Sequence, residues 1–538
     1  MRTADKRFAA VVAAIMAVGF ALRLWGHDAG LPYVYNVDEG AHFVPRAIGM
    51  FDHGYNPGYF VNPPGLTYVF HVLFWLRWGG DETRALYAHD PGAVYAYARV
   101  IVVVLSTLSI GALAWAAARL FEDRRVALIA AGLLAVAFLP VHYGHFALND
   151  AALILPLCLS LAGAAGIYTT GRWREYALAG AGLGVAAAFK YTAGIAIVPL
   201  LLAAWFGPGE KRVPRTLFAC VAAGAAFLVL NPYALLSPHA FLNGLREQSA
   251  ASTDGGGKVG LADTNGFLYY AGTTLWGLGV LPLLAAAGGA VQLARSDRRR
   301  AALLLAAPVL FGVFMGLQDR FFARGLLPVY PFVIVLAAYG AVTVARRRRV
   351  LVAAAALLLG LQGLVYTIHN DHVLTRPDTR VALRRWMLAN IPAGAKIVME
   401  PIAPDAFADR WVKRDVSHYR ITPSGRKVPV HDFKIEDYEP SLRPDLIGAY
   451  EREGFCWVIS GSIMSGRPEV RPEVAPAALR YYAALRRDAD TVFTVSPMRA
   501  GHPLPEFSFD DSYNWRPLSY ARPGPRIVVY RLHGGACT

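Results

Sequence analysis

Two carboxylates stand side by side at Asp38 and Glu39, inside the stretch YNVDEGAHFVPRAIGM, and a third, Asp150, closes LPVHYGHFALND. Such groups serve as a general base or as ligands of a hard cation. Adjacent acids that open a helix also interact favourably with its dipole and need no further purpose. Cations complement them: Lys190 in FKYTAG, and Arg320 and Arg324 in QDRFFARG. An arginine grips phosphate with a two-pronged fork and a lysine acts as a point charge, so the three together suit an anionic leaving group. Each alone equally suits a side chain snorkelling to the membrane interface, and Arg23, at the end of the first apolar run, fits that anchoring role better than a phosphate site. His142 and His145 precede Asp150 in one segment, and His42 and His53 flank the acidic pair. A divalent cation is compatible with these residues, but His142 and His145 lack a clear metal-site pattern and fit ordinary loop histidines better.

The elements that must position these groups are apolar. Of 538 residues, 55% are hydrophobic and only 17% charged, with a mean hydropathy of +0.36, which excludes an ordinary soluble enzyme of this length. Apolar runs near 7–25, 94–118, 126–141, 150–168, 176–189, 191–206, 216–231, 270–294, 301–317, 326–344 and 350–367 predict about eleven membrane-spanning helices. Most of the formal net charge of +15 lies in six segments: around Arg2 to Arg7, Arg119 to Arg125, Arg172 to Arg174, Lys211 to Arg215, Arg295 to Arg300 and Arg346 to Arg349. They fall on every second connection, so the basicity marks cytoplasmic loops and calls for no nucleic-acid partner. The amino terminus is then cytoplasmic and the acids, like everything after about residue 370, lie outside, in a multi-pass protein of the cell (inner) membrane. The first run lacks a convincing cleavage site and reads as an anchor.

Residues 1–369 therefore read as a transmembrane domain and 370–538 as an extracytoplasmic α/β domain. The long external connection 26–93 carries its own helices: one over 39–51, after the acidic pair, and one in PPGLTYVFHVLFWLRWGG, which opens on a helix-compatible proline and suits the membrane surface. SAASTDGGGKVG, from Ser249, reads as a mobile loop. Past residue 370, DTRVALRRWMLANIP and PAALRYYAALRRD predict amphipathic helices, and AKIVMEP, FCWVIS and RIVVYRL predict short strands, with no phosphate-binding glycine fingerprint among them. Cys158 and Cys220 read as small packing residues within spans. Cys456 and Cys537 lie in the external domain, where a disulfide is permitted but not required.

The order DEGAHFVPRAIGM, NPPGLTYVFHVLF, YARVIVVVLSTL, GHFALNDAALILPLCL, FKYTAGIAIVPLLL and QDRFFARGLLPVYPFVIVLAAYG resembles the polyprenyl-phosphate-sugar-dependent membrane glycosyltransferases, the GT-C proteins of the protein O-mannosyltransferase and aminoarabinose-transferase type. The resemblance covers most of residues 1–367. It implies a catalytic site in the first external loop, with Asp38 as general base, Glu39 assisting or shaping the pocket, and Asp150 positioning the acceptor or holding a metal. Lys190, Arg320 and Arg324 would take the donor phosphate. Where these relatives commonly carry Lys-Pro-Pro, this chain has Asn62, Pro63 and Pro64, which removes a positive charge at position 62. The partners implied are a polyprenyl-phosphate sugar and a lipid, glycan or protein acceptor.

Two other classes also use many spans. A transporter or lipid-carrier flippase concentrates its polar groups and broken helices near the bilayer midplane, whereas here the charges gather at outer span ends. A non-catalytic receptor leaves the acids of the two external loops without a purpose.

Overall fold

The computed structural model describes residues 3–253, 265–345, 348–414, 419–421, 427–429, 441–473, 475–507 and 518–537. Most of the Gly-rich stretch after Ser249, and Arg346 and Arg347 of the last basic segment, lie outside the described residues. The chain divides into two compact units, Met1–Asp28, Val37–Thr253 and Thr264–Asp371 in one, Ala29–Asn36 and His372–Thr538 in the other.

The first unit is helical. Seven helices among the described residues are long and apolar enough to cross a membrane, or eight if the pair Gly266–Gly277 and Val280–Ser296, bent by 110°, forms one span. The expected count of about eleven is not confirmed, because several apolar runs yield helices shorter than the ~20 residues of a straight span.

In chain order the elements that matter are α1 (Thr3–Leu24), α2 (Val37–Ala41), α3 (Val44–His53), α4 (Gly65–Trp78), α5 (Gly80–His89), α6 (Pro91–Phe121), α7 (Arg124–Val136), α8 (Phe138–Tyr143), α9 (Asn149–Ala152), α10 (Ile154–Thr170) and α11 (Trp173–Phe189). The single helix expected over 39–51 is two helices. Pro45 lies in the first turn of α3, where a missing N–H costs nothing, so the chain breaks and restarts there and the acidic pair opens α2 instead. In α4, Leu66, Phe70 and Phe74 are spaced by four and fully buried, while Val72, Trp75 and Leu76 on the other face are exposed. That exposed apolar face is what a helix lying at a lipid surface presents.

Helix starts follow their caps. The Asp90 carboxylate accepts from Ala93 N at 3.3 Å to open α6, and Asp123 accepts from Arg125 N at 2.9 Å to open α7, each satisfying a first-turn donor. Small residues let the helices approach closely: a Cβ at Gly182 in α11 would stand 2.6 Å from Ser160 N in α10, a contact that only glycine permits. Cys158 is buried as expected, but Cys220 is exposed, on a helix (Arg212–Leu230) that is almost wholly unburied. It faces away from the packing it was expected to join.

The second unit carries a five-stranded sheet in the order β2-β1-β5-β7-β6, built from β1 (Lys396–Met399), β2 (Val412–Arg414), β5 (Trp457–Gly461), β6 (Asp490–Val495) and β7 (Ile527–Arg531), with β3 (Tyr419–Ile421) and β4 (Lys427–Pro429) as a separate ribbon. β1 pairs parallel with β2 and β5, while β7 runs antiparallel to β5 and β6. The expected strands in AKIVMEP, FCWVIS and RIVVYRL are the three central ones, which explains their near-continuous apolar character. The helices Thr379–Asn390 and Pro476–Asp488 bury Leu383, Met387, Tyr481 and Leu485. Cys456 and Cys537 form a disulfide across a sequence separation of 81. The segment Ala29–Asn36, far away in sequence, packs into this unit: the Tyr33 ring lies edge-on to Phe407 at 5.4 Å, and the Arg380 guanidinium stands 3.7 Å over the Tyr35 ring.

Candidate active site

Asp38 and Glu39 occupy the first turn of α2. Consecutive helical residues point about 100° apart, and the two acids accordingly meet different surroundings. Glu39 is fully buried. Its Oε1 accepts from Arg99 Nε at 2.7 Å and from Ala147 N at 2.8 Å, and its Oε2 accepts from Arg99 Nη2 at 2.7 Å. Arg99, buried within α6, also donates through Nη1 to His27 O at 2.8 Å. The pair is a two-pronged, charge-assisted clasp that ties α2 to α6 and to the loop before α9.

Asp38 faces the other way, with its side chain 37% exposed. Oδ2 accepts from Arg324 Nη2 at 2.7 Å, and Oδ1 stands 3.7 Å from His42 Nε2. Arg324 Nε is in turn 3.7 Å from Asp150 Oδ2, and Asp150 Oδ1 is bound by Lys190 Nζ. Asp38, Arg324, Asp150 and Lys190 thus form one row of alternating charge drawn from four separated segments. Asp150 lies in the first turn of α9 and Lys190 follows the last residue of α11. The side chain of Asn149 donates to Phe189 O at 2.6 Å, which pins the two ends together. Arg324 lies 4.2 Å over the Phe322 ring and Arg320 4.9 Å from it. His42 stacks on Tyr59 at 5.1 Å between ring centres, Arg46 covers Tyr59 at 4.0 Å, and Asn62 donates to the Tyr59 hydroxyl at 2.9 Å.

Burial on its own would raise the Asp38 carboxyl, but the Arg324 guanidinium and the His42 ring hold it well below the usual carboxylate range. Asp38 is therefore ionised at any physiological pH, and with Arg324 in place it is a weak base. Arg320 adds a further positive charge that acts on Asp38, beside Arg324 and Lys190.

The remaining expected residues sit elsewhere. Arg23 is fully buried rather than at an interface. It donates to Gly19 O at 2.9 Å, Ala135 O at 3.2 Å and Leu134 O at 3.0 Å, satisfying carbonyls at the end of α7 that have no partner inside their own helix. His142 lies among Phe138, Tyr143 and Phe146 at centre distances of 5.5, 5.4 and 5.3 Å. His145 is buried, with Nε2 3.1 Å from Trp25 O and 3.3 Å from Asp371 Oδ1. His53 ends α3. Among the described residues no group of three or more His, Cys, Asp or Glu side chains is placed to hold a metal ion. Arg99 was not singled out from the sequence. Its charge near the start of the apolar run YARVIVVVL was the available signal, since an ionisable residue inside an apolar span needs a buried partner.

Comparisons with known proteins agree with this picture. Residues 92–235 match the profile of the family Dolichyl-phosphate-mannose-protein mannosyltransferase. No curated protein matches the sequence. Among solved structures, the archaeal oligosaccharyltransferase AglB from Archaeoglobus fulgidus, in complex with an inhibitory peptide and a dolichol-phosphate, superposes with a TM-score of 0.53 at 14% identity, over 96% of this chain and 76% of that one. ArnT from Cupriavidus metallidurans bound to undecaprenyl phosphate gives 0.49 at 16% identity over 98% of each chain. The Pmt1-Pmt2 complex of S. cerevisiae bound to the sugar donor gives 0.33 at 18% identity, over 47% of this chain and 35% of that one.

The resemblance drawn from the sequence is borne out: the chain has the GT-C fold, and its residues 92–235 carry the mannosyltransferase family match. The family match spans residues 92–235, the whole-chain likeness is one of fold, and the apolar helices make this a multi-pass membrane protein.

Proposed function

We propose that the protein transfers a single sugar from a polyprenyl-phosphate carrier to an acceptor hydroxyl or amine on the outer face of the membrane, with inversion at the anomeric carbon. The observation that carries this reading is the row Asp38, Arg324, Asp150 and Lys190, in which a half-exposed carboxylate is held by the cation best suited to a phosphate. The basic connections argue for a cytoplasmic amino terminus and for a site on the opposite face.

The acceptor heteroatom attacks the anomeric carbon and the carbon–oxygen bond to the phosphate breaks. The acceptor proton passes to Asp38, and the bonding pair leaves with the polyprenyl phosphate, which Arg324, Lys190 and Arg320 stabilise. Donor binding thus does two things at once. The phosphate draws Arg324 away from Asp38, and the carboxylate that loses this partner becomes a stronger base. Asp150, still bound to Lys190, keeps the cations in place and borders the acceptor. Glu39 shapes the pocket through Arg99. The second unit supplies acceptor recognition.

The test is transfer of radiolabelled sugar from a panel of polyprenyl-phosphate sugars to envelope extract, comparing wild type with Asp38→Asn at equal membrane expression. Product from wild type and a loss of about 10²- to 10⁴-fold in the variant supports the base assignment. Equal product from both removes Asp38 from the chemistry.

A further inference from the structure

Between α1, α7 and the helix Arg349–Leu374 lies a groove of about 700 Å³, lined by apolar residues and glycines except for Arg125 and Arg349. Its volume is in the range of sites that hold a small molecule. Small residues leave the space: Gly132 of α7, Ala353, Ala356 and Gly360 of the helix Arg349–Leu374 line it, together with Ile15 of α1. A Cβ at Gly132 would meet nothing within 4 Å. The two walls converge at the far end of α7, where Thr367 Oγ1 donates to Val136 O at 3.2 Å and a Cβ at Gly363 would stand 2.8 Å from that same oxygen. They diverge toward the arginines. The groove is therefore a wedge, closed at the end of α7 that leads to the candidate active site and open at the other.

Such a wedge does not stay empty in a bilayer, because its walls would forfeit their dispersion contacts. An acyl chain fits its shape and chemistry. The two arginines decide the head group. Each stands in the first turn of its helix, so the positive ends of two helix dipoles add to their charge. Arg349 is exposed and makes no ion pair with any described residue. Basic pockets between spans at the cytoplasmic side characteristically take anionic lipid head groups. The thirteen residues of α7 put the arginine end roughly 20 Å from the end that leads to Asp38. A donor whose phosphate meets Arg324 cannot also present that phosphate to Arg125 and Arg349.

We propose that this wedge binds an anionic glycerophospholipid of the leaflet opposite the active site, one acyl chain lying between α7 and the helix Arg349–Leu374 and the phosphate held by Arg125 and Arg349. The test uses the full chain, delipidated in detergent and exposed to phosphatidylglycerol or phosphatidylcholine of identical acyl composition, with bound lipid counted by native mass spectrometry. Wild type should retain phosphatidylglycerol about tenfold better, because both lipids offer a phosphate but the choline cation of the second cancels its charge and is repelled by the two arginines. Arg125→Gln/Arg349→Gln should lower that retention to the phosphatidylcholine level, and Arg125→Lys/Arg349→Lys should keep most of the preference. Gly132→Phe, which fills the wedge and leaves the charges alone, should reduce retention of both lipids, with a wild-type melting temperature as the check on folding. Equal retention of the two lipids by wild type, or an unchanged preference in either Arg125→Gln/Arg349→Gln or Gly132→Phe, overturns the proposal.

Discussion

Adjacent acids in one helical turn should fail in opposite ways. Glu39 accepts three hydrogen bonds, two from Arg99 and one from Ala147 N, with no solvent access. Glu39→Gln removes the charge and turns one acceptor oxygen into a donor that faces the Arg99 fork. Arg99 is left buried without the carboxylate that neutralised it, while its Nη1 still donates to His27 O. Breaking one member of a buried ion pair costs about 3–5 kcal/mol, and the three lost or inverted contacts place Glu39→Gln in that range. Asp38→Asn meets a different situation: its side chain is 37% exposed and Arg324 keeps Asp150 nearby, so the expected cost is smaller than that of Glu39→Gln. The assay is a pair of measurements on each purified variant: the thermal midpoint at one fixed scan rate, because membrane proteins rarely unfold reversibly, and sugar transfer at a temperature where both remain folded. Glu39→Gln should lower the midpoint steeply and, while folded, keep a measurable rate. Asp38→Asn should keep the midpoint and lose the rate. Adding Arg99→Leu to Glu39→Leu should recover part of the stability, since an apolar pair leaves no buried charge alone. The reasoning is refuted if Glu39→Gln melts like wild type, or if it abolishes transfer at an unchanged midpoint.

Three further outcomes follow from the same geometry. Arg324→Gln should reduce transfer by about 10²- to 10³-fold through loss of a donor to the departing phosphate, with Lys190→Gln raising the donor KM as well, both read from initial rates across a donor series. Because the free-enzyme Asp38 carboxyl is held well below the ordinary range, its stabilising contribution is complete above pH ~4 and fades only as pH falls through the lowered value. A profile of kcat/KM, which reports the free enzyme, should therefore show no acid limb from Asp38 between pH 5 and 8, and a limb there that disappears in Asp38→Asn would contradict this. Cys456→Ser/Cys537→Ser opens a loop of 81 residues and should cost the second unit about 4.5 kcal/mol by the chain-entropy relation, measured as earlier urea unfolding of that unit by its tryptophan fluorescence.

How much of this was legible beforehand differs from residue to residue. The three central strands and the helix Pro476–Asp488 were readable because short apolar runs and an amphipathic period report burial directly. Asp38, Asp150, Lys190 and Arg324 were each visible as charged residues at the ends of apolar runs, but their alternation depends on four chain segments meeting, which periodicity does not encode. Arg23 was misplaced because the end of an apolar run suggests an interface, whereas α7 supplies two carbonyls that make a buried position tolerable. The break at Pro45 was available from the residue itself. The number of spans was least legible, since the 13 residues of α7 and the 110° bend after Gly277 decouple hydropathy from transmembrane length.

The packing of Tyr33 and Tyr35 into the second unit bears on how that unit can be inherited or moved. A fragment beginning at His372 would leave the Phe407 edge and the Arg380 guanidinium without the two rings that cover them, so it is not a freestanding cassette. Any recombination that exchanges the carboxy-terminal unit between related chains has to carry eight residues, Ala29–Asn36, from far upstream. Those eight residues stop one position short of the helix that bears Asp38. Substitutions acquired by the second unit and by the approach to the α2 turn are thus expected to co-vary, and a chimera that ignores this should be repaired by supplying residues 29–36 from the same parent.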